Sequence, residues 1–211
     1  MLEGKKIRIF RTTHYQNLPF ILKNGIVCAS SPIQDPNFVK IGFQSLIDVR
    51  AITEVKASPG GVLNDYVPFY FCPKSPMLYV LFKKRVPDFF GSQEDLIYLV
   101  SSVETIVKQS LQFVFSDRHA KLIYANFYNQ HKDLGLLDWT AIQSEKWGDQ
   151  YDPTRTVREF KQAEFLVHSQ VPIHCIEGII CPNEKTFTFV QGFLSVAPSL
   201  LQAVVRPNYF F

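Results

Sequence analysis

The stretch PGGVLNDYVPFYFCPKSPMLYV, residues 59–80, decides the fold because it places a strand directly before a helix. Within it, Tyr66–Cys72 is an almost continuous apolar and aromatic run, which predicts a buried strand with a proline near its start, where a missing N–H donor is tolerated. Pro73 and Pro76 end the strand, and Pro76 suits the first turn of a helix over Met77–Lys84. We therefore expect a sheet with helices packed against it.

On the N-terminal side, the alternation of Lys6–Thr13 predicts another strand. Asn17 offers its side-chain oxygen as the N-cap of a helix, LPFILKN, that ends at Gly25, and Ile26–Ala29 then reads as a strand. Proline and glycine interrupt the next segment, which predicts a long and partly irregular insert over Ser30–Leu63 with one helix, Gln44–Val55.

On the C-terminal side, short runs of β-branched and aromatic residues alternate with helical patterns. The predicted strands are Leu96–Ser101, Phe113–Phe115, Glu164–His168, Ile173–Cys181 and Thr186–Val190. The predicted helices are Val103–Ser110, His119–Gln130 and Leu136–Trp147, with a polar loop over Gly148–Thr156. The fold class is α+β, and at this length we expect a single domain over residues 1–211.

Composition excludes several classes of protein. Hydrophobic residues make up 46% and charged residues 19%, so the chain can bury a core and lacks the signature of disorder. A net charge of +3 excludes binding of nucleic acid by bulk charge alone, so any such contact must be a local site. There is no apolar run of membrane-spanning length and no signal-peptide pattern, and the four scattered cysteines fit reduced thiols, so we expect a cytoplasmic protein.

The familiar motifs for nucleotide, zinc and hydrolase chemistry, such as GxGxxG, GxxxxGK[ST], HExxH and GxSxG, are absent. His168, His174, Cys175 and Cys181 have spacings that match no standard zinc pattern, and the adjacent His174 and Cys175 would point to opposite faces of a strand. We predict no metal.

Four less familiar strings occur together: RTTHYQNLPFILKNGI at 11–26, the stretch at 59–80, FSDRHA at 115–120 and KQAEFLVHSQVP at 161–172. With them the chain resembles the DarT family, the toxins of DarT–DarG toxin–antitoxin pairs, over nearly its whole length. The resemblance implies an ADP-ribosyltransferase-like sheet core with flanking helices and a helical or irregular insert. It also implies transfer of ADP-ribose from NAD to a base of single-stranded DNA, with thymine favoured, and a DarG-like macrodomain antitoxin as partner.

The resemblance also implies the reacting residues. Glu164, in QAEFLV, matches the family's catalytic glutamate, whose carboxylate would hold the 2′-hydroxyl of the nicotinamide ribose as that sugar becomes positively charged. Arg50, in LIDVRAITEV, matches the arginine between NAD and the target base, where a guanidinium binds phosphate or polarises a base carbonyl.

For NAD itself the resemblance implies Arg11, His14, Asn17 and Tyr70. The family usually has a histidine where this chain has Arg11, so either Arg11 or the neighbouring His14 takes that role. His14 and Asn17 could instead serve only to cap the following helix. Strand alternation makes one of Tyr70 and Phe71 a core residue.

For DNA, the segment Trp147–Lys161 precedes Glu164 at the place where ADP-ribosyltransferases keep their substrate-recognition loop. Trp147 and Tyr151 are candidates to stack on an unpaired base. The candidate cations are Arg118, His119, Arg155, Arg158 and Lys161.

Four other interpretations remain open at the level of sequence. The target could be guanine, RNA or a protein, or the chain could be a non-catalytic module that binds single-stranded nucleic acid through the same basic loop. The joint presence of Arg50, Tyr70 and Glu164 favours an enzyme, because a pure binder would not need all three.

Overall fold

The computed structural model describes residues 6–197 and 201–211. Its main feature is an eight-stranded mixed sheet in the order β10-β9-β4-β1-β3-β7-β5-β6, in which only β9 and β10 are parallel. These strands are β1 (Arg8–His14), β3 (Tyr66–Tyr70), β4 (Leu96–Ser102), β5 (Phe113–Ser116), β6 (Phe127–Tyr128), β7 (Glu164–His168), β9 (Gly178–Cys181) and β10 (Ala203–Val205). A separate two-stranded sheet pairs β2 (Ile26–Val27) with β8 (Gln170–Val171).

Seven α-helices of the described residues surround the sheet. They are α1 (Leu18–Asn24), α2 (Gln44–Ile52), α3 (Pro76–Phe82), α4 (Val103–Lys108), α5 (Trp139–Gln143), α6 (Thr156–Phe160) and α7 (Glu184–Val196). Helix α1 ends at Gly25, whose φ of 75° and close approach to the Val171 carbonyl leave no room for a side chain. The predicted α+β class is confirmed.

The two faces of the sheet are covered differently. Ile9, Phe69 and Phe165 project to one face, where α1, α4 and α7 pack against them. The opposite face carries two smaller apolar clusters. Phe10 and Tyr98 pack there against α3, while Tyr66 and Leu166 pack against the insert through Val55 and Leu63.

Between these two clusters the central strands carry polar side chains. Phe10 lies opposite Tyr70, and Tyr70 lies opposite Glu164, so all three project to the same face. β1 pairs with β4 over seven residues but with β3 only at Phe10 and Tyr70, so the sheet is least tightly joined beside this position.

Two element predictions were wrong. Thr186–Val190 lies in helix α7, because Asn183 caps that helix through the Thr186 N–H and Thr186, Val190 and Leu194 form one buried stripe at helical spacing. The predicted helix His119–Gln130 is absent: Asp117 instead accepts two hydrogen bonds from Asn126, which folds the segment back into β6.

Two further predictions were partly wrong. Of the predicted helix Leu136–Trp147 only α5 is α-helical, and a 3-10 turn precedes it. The predicted strand Ile173–Cys181 begins with a 3-10 turn and is extended only over β9. Strand β10 was not predicted, because its three residues pair with β9 far along the chain.

Candidate active site

Glu164 is the centre of a polar cluster on the partly open face. It is the first residue of β7 and is 1% exposed. Three hydrogen-bond donors contact its carboxylate. Arg50 Nη1 lies 2.8 Å from Oε2, while His119 Nδ1 and the Ala120 backbone N–H each lie 3.1 Å from Oε1. The backbone N–H of Glu164 donates to Ser116 Oγ, which anchors the start of the strand.

These contacts decide the charge of the carboxyl group. Burial by itself opposes ionisation, but the positive charge of Arg50 and the hydrogen bond from His119 outweigh it and lower the pKa of Glu164 to about 2. Glu164 is therefore a carboxylate at neutral pH, and the Nδ1 of His119 carries the proton of their hydrogen bond.

Arg50 reaches Glu164 from α2, in the middle of the insert. No residue of α2 is buried, so the helix lies on the surface and directs Arg50 inward over the sheet. The Nη2 of Arg50 is buried and has no hydrogen-bond partner in the part of the chain that the structure describes. A buried donor without a partner costs free energy, which indicates that a ligand acceptor fits here.

Tyr70 and Arg11 complete the cluster. Burial and the charge of Glu164 raise the pKa of the Tyr70 phenol, so it stays protonated and can donate. The Arg11 guanidinium donates to the Pro68 carbonyl across the loosely paired strands. Burial and the charge of Arg50 lower the pKa of Arg11 to about 10. Phe71 is 6% exposed and belongs to the core, as alternation predicted.

His14 and Asn17 have structural contacts instead. The Nδ1 of His14 accepts the Gln16 N–H, its ring stacks on Tyr15 at 4.8 Å, and burial lowers its pKa. The predicted N-cap bond of Asn17 is absent. Its amide instead donates to Thr13 Oγ1 and to the Val39 carbonyl and accepts the Val39 N–H, which fastens the insert to β1.

Comparison with known proteins identifies the family of this chain. Residues 10–211 match a family model described as DarT, ssDNA thymidine ADP-ribosyltransferase. A DNA ADP-ribosyl transferase of Thermus sp. strain 2.9 is 43% identical over 205 residues, which cover 96% of this chain and 95% of the relative. One from Escherichia coli O127:H6 is 34% identical and covers 100% of this chain and 96% of its own length. The chain belongs to the DarT family.

Solved structures of the same family share the fold of this chain. Thermus sp. 2.9 DarT in complex with ADP-ribosylated ssDNA superposes with a TM-score of 0.88 at 36% identity, over 97% of this chain and 96% of that one. The same protein in complex with NAD+ gives a TM-score of 0.84 at 35% identity, over 99% of both chains. The ADP-ribosyltransferase-like fold inferred from the sequence is confirmed, as is the family.

The residues that the sequence predicted for DNA binding are dispersed. His119 lies in the polar cluster around Glu164, as a partner of its carboxylate. Arg118 is bound by Asp117 in two hydrogen bonds and by Glu159 at 3.7 Å, and it lies over the Tyr124 and Phe160 rings. Arg155 and Arg158 share Asp149, at 3.5 and 2.6 Å. Tyr151 is exposed and remains a candidate to stack on a base.

Two of these predictions need correction. Trp147 is 8% exposed and packs against Tyr79 and Phe211, so as placed its ring is not available to stack on a base. Lys161 is 4% exposed, and its ammonium group donates to the Ile142 carbonyl at 3.0 Å, so it does not face a phosphate. Both side chains instead anchor the ends of the segment that leads to Glu164.

Sequence reasoning missed three polar partners of Glu164, namely Ser116, His119 as a carboxylate partner and the Ala120 N–H. The string FSDRHA contains Ser116, His119 and Ala120 and was the signal that could have identified them. The predicted helix over His119–Gln130 gave no reason to place that string beside Glu164. Among the described residues no helix is long and apolar enough to cross a bilayer, and no group of His, Cys, Asp or Glu is arranged to hold a metal.

Proposed function

We propose that this chain transfers ADP-ribose from NAD to a thymine base of single-stranded DNA and releases nicotinamide. The family match to ssDNA thymidine ADP-ribosyltransferases supports this, as do the Thermus DarT structures with NAD+ and with ADP-ribosylated ssDNA. The observation that carries it is the ionised, buried Glu164 held beside Arg50, whose second nitrogen has no partner among the described residues. An unpaired strand is the natural substrate because a base in a duplex would have to be flipped out, at a cost of a few kcal/mol.

In this reaction the bond between the ribose C1′ and nicotinamide breaks, and nicotinamide leaves with the bonding electron pair. A bond forms from C1′ to a ring nitrogen of the base, and the proton of that nitrogen is released to solvent. The Glu164 carboxylate is positioned to accept a hydrogen bond from the 2′-hydroxyl of the ribose, and its charge stabilises the cationic sugar in the transition state. His119 and the Ala120 N–H hold the carboxylate in place from the other side.

Arg50 is assigned to the target base as well as to NAD. A guanidinium beside a ring nitrogen flanked by two carbonyls stabilises the anion that remains when the proton leaves. Tyr70 and Arg11 are assigned to NAD, because both belong to the Glu164 cluster and Tyr70 lies opposite Glu164. Arg11 would take the place of the usual family histidine, whereas His14 and Asn17 are assigned to the support of this region.

The deciding experiment measures nicotinamide release and oligonucleotide mass together. The purified wild type should add one ADP-ribose to a thymine-containing oligonucleotide and none to a matched oligonucleotide without thymine. Glu164→Gln should lose transfer by several orders of magnitude and keep NAD binding. Modification of the thymine-free strand would transfer the assignment to guanine or another base. Wild-type activity in Glu164→Gln would remove Glu164 from the mechanism.

Arg50→Lys separates the two roles of Arg50. Lysine keeps the charge but loses the planar fork, so transfer to DNA should fall strongly while slow hydrolysis of NAD by water persists. An equal fall in both activities would show that Arg50 serves NAD alone.

Three further assignments belong to this proposal. Residues 1–211 form one domain, supported by a single main sheet whose strands come from residue 8 through residue 205. The site of action is the cytoplasm, which is where NAD and the DNA substrate meet. The partner that opposes the toxin is a macrodomain protein of the DarG kind, as the resemblance to the toxins of DarT–DarG pairs implies.

A further inference from the structure

The run Lys83-Lys84-Arg85 at the end of α3 is the longest uninterrupted run of cations in the sequence. All three residues are exposed, and within the described residues none of them lies at ion-pair distance from a carboxylate. This separates them from Arg118, Arg155 and Arg158, which acidic side chains partly neutralise. Unpaired cations are the ones that gain most from contact with phosphates, since no internal salt bridge has to break.

Exposed aromatic rings lie beside these cations. Phe90, in the turn that follows, is 97% exposed, and Phe82 is 38% exposed. The Lys83 ammonium group lies 5.0 Å from the centre of the Phe82 ring and 5.4 Å from that of Tyr79. Cations combined with exposed rings are the combination that binds single-stranded nucleic acid, in which bases stack and phosphates are neutralised.

This surface lies on the same side of the sheet as the active site. Glu164, Tyr70 and Phe10 project to one face, and Phe10 packs there against Leu78 and Leu81 of α3. Helix α3 follows β3 after a short turn, and its seven residues carry its far end about 10 Å from its start. Tyr79 also contacts Trp147, which begins the segment that leads to Glu164.

We propose that Lys83, Lys84, Arg85 and Phe90 form a second contact surface for the DNA strand, which binds nucleotides beyond those next to the modified base. We call it the α3 surface. The inference rests on the proposed function and deepens it: the substrate is a strand long enough to reach from Glu164 to the far end of α3. Asp88 is the one acid in the segment 83–90, so the charge of the α3 surface suits a polyanion.

The test compares two triple variants of equal charge. Lys83→Ala/Lys84→Ala/Arg85→Ala removes the α3 surface, whereas Lys23→Ala/Lys108→Ala/Lys185→Ala removes three exposed cations from helices on the opposite face. Binding and transfer are both measured on oligonucleotides of about four and about sixteen nucleotides, at several salt concentrations.

The first variant should weaken binding of the long strand about tenfold and lower its salt slope by about 2, because each lost phosphate contact removes about 0.7. Its turnover on the short strand should stay at the wild-type value, which also shows that it folds. Phe90→Ala should weaken binding of the long strand about fivefold, with no change in the salt slope of that binding.

Equal effects of the two triple variants, or equal losses on short and long strands, would overturn the α3 surface. So would normal DNA binding by the first variant with loss of binding to the antitoxin, since the surface would then serve a protein partner. Failure of the wild type to modify either strand would instead overturn the proposed function.

Discussion

Glu164 shows how a buried carboxylate is kept charged inside a folded chain. A carboxyl group that is 1% exposed would ordinarily become neutral, yet here Arg50, His119 and a backbone N–H are directed at its two oxygens. Removing the carboxylate should lower the free energy of unfolding, because the Arg50 guanidinium is then left without its partner.

The lowered pKa of Glu164 predicts a specific pH dependence of stability. Its pKa in the folded chain is about 2, below the ordinary value of 4.5, so this stabilising contribution is complete above the ordinary value and is lost as the pH falls through about 2. Glu164→Gln should be less stable than the wild type at neutral pH, and the difference in free energy of unfolding should narrow as the pH falls from about 5 towards 2. Urea unfolding at each pH measures it. The exposed Glu145, changed to Gln, is the control and should show no such narrowing.

Arg11 and His14 have different contacts, so substitutions at the two positions should have different effects. Arg11→Ala should raise the NAD concentration needed for half-maximal rate with little loss of stability, and Arg11→His should restore part of the affinity because the family usually has histidine here. His14→Ala should instead lower stability by about 1 kcal/mol through loss of its cap to Gln16, with NAD affinity unchanged. NAD titration and thermal unfolding decide, with Arg8→Ala on the same strand as control. A raised NAD requirement in His14→Ala alone would reverse the two roles.

At the scale of elements, the insert that carries Arg50 is fastened to the end of β1 by Asn17. Asn17 makes three hydrogen bonds with Thr13 and Val39, from a side chain that is 1% exposed. Asn17→Ala should therefore cost about 2 to 3 kcal/mol of stability and lower transfer, because the insert loses its tie to β1 and Arg50 is less well positioned. Denaturant unfolding and turnover check this, and Asn24→Ala, which removes one hydrogen bond within α1, should leave turnover intact. Normal turnover in Asn17→Ala would show that the insert is positioned by other contacts.

The segment from Trp147 to Lys161 divides into an exposed part and two anchors. Arg155→Ala/Arg158→Ala should lower the salt slope of DNA binding by at most about 1.4, because Asp149 already neutralises part of both charges. Lys161→Met should leave the salt slope unchanged and lower stability, because its hydrogen bond to the Ile142 carbonyl is buried. The control is Lys146→Met at an exposed position. A lower salt slope in Lys161→Met would mean that its ammonium group reaches the DNA after all.

At the scale of the molecule, residues distant in sequence complete the face that carries the site. Phe210 is 4% exposed and packs on Tyr98 at 5.1 Å, and Phe211 exchanges hydrogen bonds with Gln93. Phe210→Ala should lower the free energy of unfolding by about 3 to 5 kcal/mol, because it opens a cavity behind α3. Phe90→Ala, at a position 97% exposed, should change stability little and serves as the control. Equal stability of the two variants would show that the C-terminal residues are not part of the core.

Local sequence determined most elements, and the strings that resemble the DarT family singled out the candidate reacting residues. Breakers such as Pro73, Pro76 and Gly25 mark the ends of strands and helices, and the apolar run at Tyr66–Cys72 is strand-like whatever surrounds it, so β3, α3 and α1 were predictable. Glu164 and Arg50 were identified through the strings around them, and the structure brings them to 2.8 Å from positions 114 residues apart.

Only the tertiary structure decided which cations and rings face solvent. Sequence gives a lysine or tryptophan the same appearance whether it is buried or exposed, so Lys161 and Trp147 were read as DNA contacts, whereas long-range packing buries both. The sequence predicted Lys83 and Lys84 only as the last residues of a helix, whereas the structure shows that Lys83, Lys84 and Arg85 are all exposed. His119 likewise joined Glu164 only because Asp117 and Asn126 fold its segment back along β5. The burial and the ionisation of a side chain depend on contacts between residues that are distant in the sequence. The local sequence pattern does not specify those contacts.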